Sequence, residues 1–254
     1  NMISNEVFID SATLRENVVA LARNIGYVPR SKKSSRANIN FFVDISSVSP
    51  TPANLTLKAG PVATTGGQFS NQSFVFGIPE DLTVSVIDGI ANFDNVEVYE
   101  GSYLSQTYVY STRNKFQKFI LPNVGIDLDS LVVTVRPSID SSVTTKYSRQ
   151  DELFDSVTKS TITGNSNIYF IQEVESEQYE VIFGDGVFGK ALEDGNVIEM
   201  TYIVTNGTDG NGVNSFTFSG SLSYVRNSVE IFVSNGISLI SSVLPSSGGE
   251  SIES

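Results

Sequence analysis

The sequence contains no cysteine and no histidine. Their absence excludes a thiolate nucleophile, an imidazole general base, a serine–histidine catalytic triad and an ordinary structural zinc site. It also excludes disulfide bonds, so the fold depends on its hydrophobic core in any redox compartment. Catalytic chemistry would have to come from carboxylates, lysine, serine or tyrosine.

Basic residues are scarce, with 16 Lys and Arg against 28 Asp and Glu and a net charge of -12. Such a surface repels phosphate backbones, so we expect no nucleic-acid partner. The basic run from Arg30 to Arg36 lacks interleaved aromatic residues for base stacking, which favours a solvated loop after a helix. No apolar run approaches the roughly 20 residues that span a bilayer, so membrane insertion is not expected.

The residues that are abundant point to β structure. The chain has 254 residues, of which 40% are hydrophobic and only 17% are charged. Val, Ile, Phe and Tyr are frequent among many Ser, Thr, Asn and Gly residues, a mixture typical of strands joined by turns. The length suffices for one large domain or for two to three small ones.

Residues 1–36 form a predicted helical lead-in. Thr13 and Glu16 fit a capping box, and one stripe at helical spacing holds Leu14, Val18, Leu21 and Ile25. Periodicity leaves two alternatives open: the stripe packs on the β structure behind it, or, with Val7 and Phe8, it joins a bundle between subunits. Both chain ends look cut, so we expect part of a longer protein, with 245–254 as a flexible linker to a missing C-terminal part.

From Asn38 onward the apolar period changes from helical to two, which predicts half-exposed strands in antiparallel sheets. The alternating sets are Ile39, Phe41, Val43 and Ile45; Leu82, Val84 and Val86; Leu131, Val133 and Val135; and Val229, Ile231 and Val233. We predict two β regions, 37–146 and 161–244, joined by a connecting segment at 147–160. The expected fold class is therefore mainly β with an N-terminal helical segment (α+β).

The stretch FGDGVFGKAL, residues 183–192, matches both the dinucleotide pattern G-x-G-x-x-G and the P-loop pattern G-x-x-x-x-G-K. Either site needs a helix directly after the glycines, whose N-terminus binds the phosphates. Here a turn signal at Asp194-Gly195-Asn196 follows Lys190 at once. We therefore expect no cofactor, and instead a β-hairpin with a glycine-rich tip. Its structural positions are Phe183, Gly184, Asp185, Gly186, Gly189, Gly195 and Asn196. The four glycines among them are expected to adopt backbone angles closed to other residues.

The run from Asn167 to Phe216 resembles the signature of baseplate J-like wedge proteins of contractile-tailed phages. A Y-F-x-Q-E strand, an F-G-D-G turn, a G-N-x-I strand and an N-G-x-x-x-N-G loop follow one another in that family's order. The run from Asn5 to Ser35 is similar to the helical segment of the large wedge subunit of T-even-type phages. Together these blocks cover about a third of the chain, and the segment 41–164 shows no such resemblance.

The resemblance implies a structural protein of the virion tail baseplate, assembled in the bacterial host cytoplasm. It implies a homodimer whose N-terminal helices bundle with other baseplate wedge proteins, and a role in the conformational switch at sheath contraction. Catalysis and a small-molecule substrate are not expected. The partner-binding residues would be Val7, Phe8, Leu14, Val18, Leu21 and Ile25.

Two other functions compete with this interpretation. A tail-associated glycan-binding or glycan-hydrolysing β-protein would need paired carboxylates, and Asp185 with Glu193 or Asp194 is the candidate cluster. A calcium-binding module would use the oxygen-rich loop of Asn206, Asp209, Asn211 and Asn214, but only one of these is charged. Turn-forming residues and a polar connecting loop explain both clusters without a ligand.

Overall fold

The computed structural model describes residues 30–65, 72–150 and 162–253, and over these ranges the chain is mainly β, as predicted. None of the helices in this part of the chain is long and apolar enough to cross a membrane. Two short 3-10 helices lie at Glu175–Glu177 and Gly207–Gly210. The strands are β1 (Arg36–Asp44), β2 (Asn54–Leu57), β3 (Gly60–Thr64), β4 (Val75–Ile78), β5 (Leu82–Ile87), β6 (Ile90–Glu100), β7 (Ser102–Val109), β8 (Phe119–Leu121), β9 (Ile126–Arg136), β10 (Thr145–Arg149), β11 (Ile168–Glu173), β12 (Tyr179–Phe183), β13 (Val197–Val204), β14 (Thr217–Phe218), β15 (Leu222–Arg226), β16 (Val229–Val233) and β17 (Ser241–Ser242).

These strands form two compact units that are not consecutive in the sequence. The split unit consists of Lys32–Tyr103 and Ile203–Ser251. The described part of the inserted unit consists of Leu104–Tyr202 with Arg30, Ser31, Ile252 and Glu253. These bounds differ from the sequential β regions 37–146 and 161–244. The reason is long-range pairing: β14 pairs with β3, so a late strand completes an early sheet. Turn signals mark where strands end but not which strands pair.

The split unit is built on a ten-stranded sheet. Its strand order is β14-β3-β4-β6-β5-β2-β15-β16, and β1 pairs with both β6 and β17. The predicted alternation in β1 is confirmed, because Ile39, Phe41 and Val43 are all buried in the core. Phe41 stacks on Phe93 of β6 with ring centroids 4.7 Å apart. Burial of these apolar side chains is the main stabilising contribution.

The inserted unit is built on a seven-stranded sheet with the order β7-β13-β9-β10-β11-β12-β8. The alternating residues Leu131, Val133 and Val135 of β9 are buried, as predicted. The antiparallel prediction is only partly right, because β10 and β11 pair in parallel with Ser148 opposite Ile168. A parallel pair needs a connection that crosses to the other end of the sheet, which local alternation does not reveal.

The C-terminal residues 245–253 are not a flexible linker, contrary to the expectation from their Ser and Gly content. Ser247 and Arg36 exchange backbone hydrogen bonds of 2.8 and 2.9 Å, and Glu250 and Lys33 exchange two of 3.1 Å. The side chain of Ser246 is buried, and its Oγ donates to the Gly210 carbonyl at 2.6 Å. Small polar residues are common in loops, but they also fit where two backbones approach closely.

The same pairing corrects the expectation that the basic run is a loop, although the side chains of Arg30 and Arg36 are solvated, with 69% and 54% exposed. Arg36 opens β1, Lys33 forms a bridge to Glu250, and Ser34 and Ser35 between them are buried. The part of the helical lead-in that the structure describes, residues 30–36, is therefore extended. The rest of the lead-in, including all six predicted partner-binding residues, lies outside the described residues.

Candidate functional site

The glycine-rich stretch 183–192 is the candidate site that the sequence singled out, and it lies in the inserted unit. It is not a hairpin tip. The strand before it, β12, pairs with β11 and β8, whereas β13 after it lies between β7 and β9. The predicted hairpin is therefore wrong: the stretch is a loop that carries the chain from one part of the sheet to another. A parallel bridge between Gly184 and Ala191 closes its base.

Asp185 shapes the loop. Its Oδ1 accepts hydrogen bonds from the backbone N–H groups of Val187 at 2.8 Å and Phe188 at 2.9 Å. This is an Asx-type turn, in which a short carboxylate replaces a backbone acceptor. The N–H groups of Phe188 and Val187 hold the pKa of Asp185 below its usual value, because they stabilise the charged form. The carboxylate therefore has a structural task.

The remaining amides of the loop also donate within the protein. The N–H of Gly186 donates to the Gly189 carbonyl at 3.0 Å. The N–H groups of Gly189 and Lys190 donate to the carbonyls of Thr163 at 3.1 Å and Ser166 at 2.8 Å. With the two amides bound by Asp185, five successive N–H groups, 186 to 190, have protein acceptors. A phosphate would find none of the backbone donors that a P-loop supplies.

The backbone conformation of the loop requires glycine for two different reasons. Gly186, Gly189 and Gly195 have φ of 90°, 86° and 86°, as the sequence predicted. Gly184 does not have a positive φ; a Cβ there would lie 2.2 Å from the carbonyl carbon of Gly189, so the close approach of two backbone segments requires glycine. After Lys190 the chain forms a bridge and a turn before β13, and no helix begins in residues 191–196.

The turn before β13 is tied to the end of β7. The N–H of Gly195 donates to the Tyr110 carbonyl at 2.9 Å, and the N–H of Tyr110 donates to the Asn196 carbonyl at 2.8 Å. The Asn196 side chain accepts from the N–H of Glu193 at 3.0 Å and donates to the Pro137 carbonyl at 3.2 Å. The buried Asn196 side chain thus connects the turn before β13 to the backbone at Pro137.

Phe183 anchors the start of the loop. Its ring packs edge-on against Phe119, with centroids 5.4 Å apart, and against Tyr147 at 5.6 Å. A cleft of about 360 Å³ opens beside these rings, and Gln117, Glu180 and Asp185 are among its lining residues. Gln117 and Glu180 are engaged with protein groups: the Gln117 amide bonds two backbone groups, and Glu180 accepts from Gln172 at 2.8 Å.

Two members of the candidate hydrolase cluster, Asp185 and Asp194, do not have the electrostatics of a general acid. The backbone N–H and the hydroxyl of Thr112 hold the pKa of Asp194 below its usual value, and the pKa of Asp185 is lowered as well. A glycosidase acid needs a raised pKa so that it carries a proton near neutrality. The pKa values of Asp185 and Asp194 are thus shifted in the opposite direction.

The candidate calcium loop lies in the split unit, and two of its candidate ligands are engaged with the protein. Asn211 Oδ1 accepts hydrogen bonds from Ser35 Oγ at 2.6 Å and from the N–H of Gly249 at 2.9 Å. Asn206 donates to Glu100 through its side chain and its backbone. No group of three or more acidic side chains placed to hold a metal ion occurs in ranges 30–65, 72–150 and 162–253. The loop is held by protein contacts.

Glu100 is the residue of this region that the sequence interpretation missed. Its side chain is buried, and its carboxylate accepts from Thr205 Oγ1 at 2.6 Å and from the Asn206 side-chain amide at 2.7 Å. A signal existed: Glu100 follows the buried Val96 and Val98 at period two on β6. A charged residue in a buried position indicates a carboxylate with dedicated hydrogen-bond donors.

No family model matches the sequence, and no curated protein matches it. The motifs of the sequence and the contacts that their residues make are therefore the basis for assigning a function.

Proposed function

We propose that this chain is a structural subunit of the baseplate wedge in a contractile phage tail. It assembles with a second copy and with other wedge proteins in the virion, and it takes part in the conformational switch at sheath contraction. The order of motifs in residues 167–216 is the reason for naming this family.

A structural role is supported by the hydrogen bonds that the polar groups of residues 167–216 make within the protein. Five successive amides of the glycine-rich loop donate to protein acceptors. Asn196 and Asn211 each bind the backbone through both ends of their side-chain amides. Residues that serve a ligand would point their donors and acceptors into a cleft, whereas these hold loops in place.

The partner-binding part of the proposal concerns the lead-in stripe and is tested by assembly. The double variant Leu14→Asp with Leu21→Asp places two charges on the proposed helix face, and we expect it to abolish copurification with the neighbouring tail proteins. The matched control is Ile139→Asp with Val143→Asp, which changes two side chains that are 70% and 65% exposed in the inserted unit. The control should assemble like the parent.

Two results would contradict this part. Assembly that survives the lead-in substitutions would show that the stripe does not bind partners. Loss of the β-sheet circular dichroism signal in that variant alone would show that the stripe belongs to the core of a β unit instead.

The alternative, a glycan-hydrolysing tail protein, has its own test. We expect no sugar release when the chain is incubated with host polysaccharide, because the pKa values of Asp185 and Asp194 are lowered. Release by the parent that is lost in Asp185→Asn would favour the hydrolase.

A further inference from the structure

The strand β16 ends the ten-stranded sheet and has a free edge. In the order of strands it follows β15, and within the described part of the chain no strand lies on its other side. Its sequence is VEIFV, and the side chains of Val229 and Phe232 are 59% and 64% exposed. The edge is therefore both apolar and accessible.

The turn before β16 determines which backbone groups face outward. Asn227 and Ser228 both have positive φ, 49° and 63°, and they form a two-residue turn that places Arg226 opposite Val229. In such a hairpin the residues that flank the turn exchange hydrogen bonds, and the pairs then alternate. The N–H and C=O groups of Glu230 and Phe232 consequently point away from β15.

Exposed edges of natural sheets usually carry protection against pairing with another chain. The common devices are a charged side chain, above all lysine, a proline, a β-bulge or a very short strand. Strand β16 contains no lysine and no proline, and its pairing with β15 runs over five residues without a register shift. Its one charged residue is Glu230, which is paired with Lys58. An edge with so little protection is suited to pair with another strand.

Charge does not oppose a second copy at this edge, although the whole chain is strongly acidic. The single charge of β16, on Glu230, is bound by Ser223 Oγ at 2.7 Å and by Lys58 Nζ at 3.3 Å. Lys58 also binds Asp81, and Arg226 lies over the Tyr224 ring at the hairpin tip. Two basic groups thus balance two acidic groups around the hairpin, so these charges do not repel an identical surface.

We infer that β16 pairs antiparallel with β16 of a second copy of this chain, about a two-fold axis at Ile231. In this register Glu230 exchanges two hydrogen bonds with Phe232 of the second copy, and Phe232 exchanges two with its Glu230. All four outward N–H groups are then satisfied. The inference supplies an interface for the self-association in the proposed function, and it rests on that part of the proposal.

The same register also matches the side chains. Val229 lies opposite Val233 of the second copy, and Ile231 lies opposite its own equivalent. Val233 and Ile231 already pack against the core cluster of the split unit, so the pairing would continue its apolar layer across the axis. An interface of this kind is isologous, which gives a closed dimer and not a filament.

The test is the oligomeric state of the chain alone, measured by sedimentation over protein concentrations up to about 100 µM, where even weak specific complexes form. We expect the parent to dimerise. Phe232→Pro removes two of the four outward N–H donors without affecting the bonds to β15, and it should weaken the dimer at least tenfold. The matched control Phe232→Thr keeps the donors and should still dimerise.

A second variant tests the interface without proline, which could itself disturb the hairpin. Phe232→Glu keeps every backbone donor but places a carboxylate opposite Glu230 of the second copy, so it should also weaken the dimer. A monomeric parent at all concentrations would overturn the inference, as would a dimer that both variants leave unchanged. Copurification with neighbouring tail proteins is measured separately, so failure of the dimer does not imply failure of the proposed function.

Discussion

Glu100 shows how a single buried charge organises a loop in this protein. Its carboxylate accepts from Thr205 Oγ1 and from both the backbone and side-chain nitrogen atoms of Asn206. Removing one oxygen acceptor leaves a buried donor without a partner, which costs more than the hydrogen bond itself contributes.

We predict that Glu100→Gln lowers the free energy of unfolding of the split unit by about 1–3 kcal/mol, because the new amide group faces donors where the carboxylate accepted. Denaturant unfolding followed by circular dichroism measures the loss. Glu97→Gln is the matched control on the same strand, since its side chain is 46% exposed, and it should cost less than about 0.5 kcal/mol. Equal losses would show that the buried carboxylate is not the organising group.

Gly184 and Gly195 of the inserted unit must be glycine for two different reasons. At Gly184 a Cβ would lie 2.2 Å from the Gly189 carbonyl carbon, whereas at Gly195 nothing lies within 4 Å but φ is 86°. We predict that Gly184→Ala destabilises the unit by about 2–3 kcal/mol, as overpacking against backbone does. Gly195→Ala should cost about 1 kcal/mol, from the left-handed backbone alone. The reverse order in thermal unfolding would contradict this geometry.

Among the elements, individual strands were easier to predict than their partners. The alternating residues of β1 and β9 identified both the strands and their buried faces. The alternation in β16 also marked a strand, but Val229 at its start is 59% exposed because β16 is an edge. Alternation reports that one face of a strand is apolar, and it does not report the neighbours of that strand.

The glycine-rich loop shows the same limit at the site. Its turn residues and the positive φ of Gly186 and Gly189 could be read from the sequence, whereas the hairpin was wrong because β12 and β13 each pair with other strands. The carbonyl acceptors of Thr163 and Ser166 could not be predicted either, because no local pattern indicates which distant carbonyls will approach a loop.

The hydrogen bonds of the glycine-rich loop predict slow amide hydrogen exchange and no nucleotide binding. Because the amides of residues 186–190 all donate within the protein, they should exchange with solvent much more slowly than unbonded amides. Hydrogen exchange followed by NMR measures this directly. Addition of ATP or NAD should leave both the exchange rates and the chemical shifts unchanged; micromolar binding that is lost in Lys190→Ala would show a nucleotide site.

At the scale of the whole molecule, the chain consists of one unit inserted into another. The split unit buries its own core, which includes Ile39, Phe41 and Phe93, and the inserted unit buries Leu121, Val133 and Tyr179. A compact unit with its own core can unfold as its own cooperative transition. The N- and C-terminal segments are joined within the split unit by the pairing of Lys33 with Glu250.

We therefore predict two transitions in calorimetric unfolding. Glu100→Gln should lower the transition of the split unit only, and Gly184→Ala should lower that of the inserted unit only. Effects at sites in separate units without shared partners are expected to be independent. A single transition that both variants shift would show that the two units unfold together.

The central claim, that this chain is a structural baseplate subunit, is tested most directly by imaging. Electron cryomicroscopy of the full-length protein, purified with its neighbouring tail proteins, should show the chain within a baseplate wedge, in contact with those proteins. The density of residues 183–192 should contain protein and no nucleotide. A chain found at the tip of a tail fibre with glycan bound, or one that never joins the wedge proteins, would contradict the account.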